Sequence, residues 1–139
     1  MVGELVPLVV VDAANVVGSV PDGWWKDRRG ATERLRDGLV GMASGGLPGG
    51  ASVPEWARSG PLDVVLVVEG AAGGVAEVPG VRVVRASGSG DDRMVELVAA
   101  ERASASARRC LVVTADRGLR DRVRALGAEV TGPRAVRPG

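Results

Sequence analysis

The chain has no histidine, no tyrosine and no phenylalanine, and it has one cysteine, three tryptophans and one lysine in 139 residues. Each shortage removes a class of chemistry. Without histidine there is no Ser-His-Asp or Cys-His catalyst and no imidazole general base. Histidine-based and multi-cysteine zinc sites go with it. The lone Cys110 cannot form an internal disulfide, and its place at the head of an apolar run reads as a buried small hydrophobe. No apolar run approaches the roughly 18–20 residues that cross a bilayer. The start, MVGELVPL, has no basic stretch ahead of its apolar residues and carries an acid, so no signal peptide is read there and a cytoplasmic location is expected. What remains for chemistry is carboxylates, hydroxyls, amides, arginine and any hard cation that oxygen atoms hold.

What is present is apolar, and strands and helices alternate. Hydrophobic residues make up 45%, enough for one domain-sized core. Continuous apolar runs at Val6–Asp12, Leu62–Gly70 and Cys110–Asp116 read as strands buried on both faces, with Val81–Ser87 and the stretch AEVTGP as two more. Helical spacing joins Ala31, Leu35, Leu39 and Met42 after a capping Asp27. It joins Met94, Leu97 and Val98 after Asp91, and Leu119, Val123 and Leu126 ahead of Gly127. The stretch GSVPDGWW reads as a loop. Residues 43–60, rich in glycine and proline, read as a flexible connection, and 132–139 as a tail. The order implies an α/β three-layer sandwich around a mostly parallel five-stranded sheet.

The acids fall at strand ends. Asp12 closes the first strand, Glu69 the second, Asp91 and Asp92 open the helix after the third, and Asp116 follows the fourth. Parallel strands place their carboxyl ends on one edge, where ligands bind. Carboxylates gathered there repel one another, and a divalent cation with oxygen ligands relieves the conflict. Turn and cap roles compete with this reading at each position. Asp116 has the placing of a helix cap, Ser89 and Asp92 have capping-box spacing, and Asn15 suits a turn.

The ordered motifs VVVDAANVVGS, LVVEGAAGG, GSGDDRMVELV and LVVTADRGLRDRV resemble the PIN-like nuclease superfamily, and within it the NYN and YacP-like branch, over roughly Leu8 to Thr131. The resemblance implies one PIN-like (Rossmannoid) domain over 1–139 and a Mg²⁺- or Mn²⁺-dependent endoribonuclease. Asp12, Asp116 and one of Asp91 and Asp92 would be metal ligands, with Glu69 at the site directly or through water. Asn15 would orient Asp12 or a metal-held water. Two positions depart from the family pattern: Ala13 stands where glycine is common, and Glu69 is one methylene longer than the usual aspartate.

RNA is the expected partner. Nine arginines face four acids from Glu101 onward, while nine basic and thirteen acidic residues precede it. Trp24 could stack on a base, with Arg28 and Arg29 reaching phosphates. Of Trp24 and its neighbour Trp25, one is expected to pack inward and one to stay out. Arg117 and Arg120 begin a basic helix face beside Asp116, Thr114 could bond to the site, and Ser89 lies in a Ser-Gly-rich turn that could present N–H groups to phosphate. Two alternatives use the same residues: a nucleotide phosphatase or pyrophosphohydrolase, and an inactive RNA-binding module. No paired-glutamate Nudix-type helix is present. Pairing of two copies through helices is compatible with this architecture, and no membrane association is expected.

Overall fold

In the computed structural model, which describes residues 6–50, 52–104 and 108–137, five parallel strands form one sheet. The strands are β1 (Leu8–Asp12), β2 (Asp63–Val68), β3 (Val81–Arg85), β4 (Cys110–Val113) and β5 (Glu129–Thr131). The helices are α1 (Ala13–Val17), α2 (Arg28–Gly45), α3 (Gly90–Ala103) and α4 (Arg117–Ala125).

The apolar runs explain the layering. In β1 every residue is buried, and neighbours alternate between two cores. Val9 and Val11 join Leu35, Leu39 and Val16 on the α1–α2 side. Leu8 and Val10 join Met94, Val98, Leu119 and Val123 on the α3–α4 side. This is the period-two alternation of a strand covered on both faces. The three layers expected from the sequence are therefore present, and the sheet is parallel throughout.

Strand order is β3-β2-β1-β4-β5. The chain moves outward from β1 to β3, then returns to place β4 on the other side of β1. The order reverses between β1 and β4, and the crevice outside that reversal is where open parallel sheets bind ligands.

Three segments differ from the sequence reading. The residues after Asp12 do not enter a loop at once; they form α1, which Asp12 caps. The 43–60 stretch is packed, not a loose connection. Its first residues finish α2, and Leu47, Val53 and Ala57 enter the core. The Leu47 N–H donates to the Ala57 carbonyl, and the Arg58 side chain donates to the carbonyls of Val53 and Gly50. The 132–137 tail turns back with Ala135 and Val136 buried. Arg137 donates to the Val16 and Val17 carbonyls and pairs with Asp22. Among the described residues no helix is long and apolar enough to cross a membrane.

Candidate active site

Asp12 stands at the reversal point. It ends β1 and turns the chain into α1, so its side chain is held from two directions. Oδ1 accepts the Asn15 backbone N–H at 3.3 Å, and Oδ2 accepts the Thr114 hydroxyl at 2.9 Å. Thr114 follows β4 and is fully buried. The hydroxyl that donates to Asp12 also accepts the Asp116 N–H at 3.1 Å. Asn15 completes the clasp, its Oδ1 accepting the Ala115 N–H at 2.8 Å. The crevice between β1 and β4 is thus closed by a hydrogen-bonded chain running through Asp12, Thr114 and Asp116.

Glu69 enters from the other side of β1, just past β2. Its Oε2 accepts the Gly90 N–H at 2.7 Å, at the first residue of α3. The extra methylene of glutamate spans this distance from the strand end. Glycine is required opposite it, because a Cβ on residue 90 would lie 2.3 Å from Oε2. Asp91 follows directly and is half-buried.

The electrostatics reflect this gathering. Burial pushes Asp12 up to about 6 from 3.8, and the nearby charges of Asp91 and Glu69 add to the rise, while the bonds from Thr114 and Asn15 oppose it. Asp91 is raised as well, by burial first and then by Asp116 and Glu69. None of Asp12, Glu69, Asp91 and Asp116 has an arginine or lysine ion-pair partner among the described residues. Four mutually repelling carboxylates therefore border one crevice without a protein cation to balance them.

The structure separates the Asp91/Asp92 pair. Asp91 lies within the influence of Asp116 and Glu69, whereas Asp92 is exposed and pairs with Arg122 at 3.0 Å. Arg122 was not singled out from the sequence, since nothing local links it to a residue thirty positions earlier. Several other residues serve locally. Asp116 caps α4 through the Leu119 N–H, and Ser89 caps α3 through the Asp91 N–H. Thr114, buried and committed to Asp12, cannot meet RNA directly and acts by holding the acid. The Asn15 side chain reaches the β4 loop; only its backbone touches Asp12.

Basic and aromatic groups border the same edge. Trp24 packs partly against the core, and Trp25 meets it edge-on and is 53% exposed. The Arg28 guanidinium lies over the Trp24 ring, 5.3 Å from its centroid. Arg29 is exposed and pairs loosely with Glu33. Arg120 donates to the Thr114 carbonyl, which ties α4 to the crevice. Arg117 is exposed and has no hydrogen-bond or ion-pair partner among the described residues. Cys110 is buried, its thiol pushed up by burial, and lies in the α3–α4 core.

Among the described residues no three acids converge tightly enough to form a ready-made metal cage. Mg²⁺ does not require one, because it keeps several waters and binds through one or two carboxylates. The donors fit such an ion in kind, being oxygen atoms on uncompensated acids.

Solved structures share this architecture. Rae1 (YacP) from Bacillus subtilis superposes with a TM-score of 0.70 at 17% identity, over 93% of this chain and 70% of that one. The chain has a YacP-like fold. A tryptophan-to-leucine mutant of the same protein gives a TM-score of 0.65 at 19% identity, over 94% and 72% of the two chains. No protein-family model matches the sequence, and no curated protein sequence does. The PIN-like, Rossmannoid architecture expected from the motifs is therefore present, at a sequence distance where the likeness speaks for fold alone.

Proposed function

We propose that the chain is a metal-dependent ribonuclease that hydrolyses RNA phosphodiester bonds at the β1–β4 crevice. The observation that carries this reading is the set of four unpaired carboxylates at the reversal point of a YacP-like sheet. Asp12, Asp91 and Asp116 would hold Mg²⁺ or Mn²⁺, with Glu69 closing the site from α3. Such an ion supplies Lewis-acid activation of water and of the phosphodiester.

The chain's own residues do the rest. Thr114 and the Asn15 N–H fix both oxygens of Asp12, so this carboxylate does not reorganise when substrate enters. The Glu69–Gly90 bond sets the start of α3 and with it the position of Asp91. Arg117, Arg28 and Arg29 give an RNA backbone positive charge on the two sides of an otherwise acidic crevice. No side-chain nucleophile or imidazole is needed, in keeping with a chain that has no histidine.

The test is hydrolysis of labelled single-stranded RNA beside a panel of nucleoside triphosphates, with Mg²⁺ or Mn²⁺. Cutting of RNA without release of phosphate or pyrophosphate from the nucleotides supports the proposal. Nucleotide hydrolysis without RNA cutting assigns the same carboxylates to a phosphohydrolase.

A further inference from the structure

We infer that the cleft beside the carboxylates, between α1, α2 and the turn after β2, is a subsite for one unpaired nucleobase of the RNA, which rests on the ribonuclease reading above. The cleft has a volume of about 150 Å³. Clefts for drug-sized ligands run to about 300–1,000 Å³, so this one takes a single planar group. Ala14, Val17 and Ala72 give it an apolar floor, and Trp24 and Arg28 line it as well. Glu69 lines it too, and Glu69 is also one of the charges that raise Asp12 and Asp91. The cleft and the acid crevice therefore share a wall.

The lining specifies its occupant. A half-buried indole beside small aliphatic side chains suits a flat aromatic ring that has left its own stack. A guanidinium at the same indole supplies the charge for the phosphate attached to that ring. An apolar ligand would waste Arg28, and a free phosphate would waste the apolar floor; a nucleotide within a strand uses both. Duplex RNA keeps its bases paired and stacked, so the subsite selects single-stranded segments.

The experiment measures kcat/KM in Mn²⁺ for a short single-stranded RNA and for a series with one abasic nucleotide moved along it. For the unmodified protein, one abasic position is expected to lower kcat/KM roughly 5- to 150-fold, the effect of losing one stacked base. Trp24→Ala removes the stacking surface. Because Trp24 also touches the core, Ala14→Leu is the second variant: Ala14 is exposed, and leucine there fills the cleft without altering the interior. In both variants the intact RNA should be cut as slowly as the sensitive abasic RNA is by the unmodified protein, and the abasic substitution should cost nothing more. RNA that is cut equally well with every abasic substitution, or an Ala14→Leu protein that remains sensitive to them, overturns the subsite while leaving the ribonuclease reading intact. RNA that is not cut at all overturns both.

Discussion

Replacing Asp12 with asparagine should stabilise the protein at neutral pH and leave it unchanged in acid. The argument begins with the shift of Asp12 from 3.8 to about 6. The native state holds its proton more tightly than the unfolded chain, so this contribution to stability is fully present below about pH 4. It is lost as pH rises through about 6. At pH 7.5 the buried side chain is ionised. At about 1.4 kcal/mol per pH unit, the native state then carries a cost of about 3 kcal/mol. Asparagine reproduces the protonated acid: its Oδ1 accepts the Asn15 N–H, and its amide donates to the Thr114 oxygen once that hydroxyl rotates. The variant should therefore match the parent near pH 4 and exceed it by about 3 kcal/mol at pH 7.5, roughly a 10 °C rise in Tm for a domain of this size. Urea unfolding in EDTA across this pH range checks it. A variant less stable than the parent at pH 7.5, or a difference that does not change with pH, would refute the placement of Asp12 as a buried, uncompensated acid.

Three further outcomes follow from the same contacts. Thr114→Val removes the donor to Asp12 and the acceptor for the Asp116 N–H. It should cost about 1–3 kcal/mol in urea unfolding, more at pH 7.5 than at pH 4, with Thr114→Ser restoring most of the loss. Gly90→Ala drives Glu69 off the start of α3 and should cost about 1–3 kcal/mol. Glu69→Ala combined with it should add little, since both remove one bond, and a double-mutant cycle in denaturant reads this. Asp91→Asn should lower metal-dependent RNA cutting roughly 100-fold or more, beyond what groups outside the metal's own ligands contribute. Asp92→Asn, at an exposed pair with Arg122, should leave the rate nearly intact.

The strands were legible because burial on both faces forces continuous valine-rich runs, and α2, α3 and α4 because their apolar residues recur at helical spacing. The acids could be assigned to one edge because parallel strands leave no other place for their ends. Other features depended on contacts that no local pattern carries. α1 is five residues long and begins without a break after a buried strand, so Ala13–Val17 has no room to show a helical period. The glycines and prolines of 43–60 signalled a loop correctly but hid its packing, which rests on isolated apolar side chains such as Leu47 and Val53. The fate of Asp92 was set by Arg122, thirty residues away, and the role of Glu69 by a glycine twenty-one residues on. Thr114 was read as a group for RNA because its burial becomes evident only once β1 and β4 pair.

The account turns on whether the acids of the β1–β4 crevice grip a divalent cation. Calorimetric titration of Mn²⁺ into the unmodified protein and into its Asp12→Asn variant measures this most directly. Saturable binding by the former at pH 7.5, strongly weakened in the latter, is the expected result. Equal binding by the two proteins, or none by either, would contradict it.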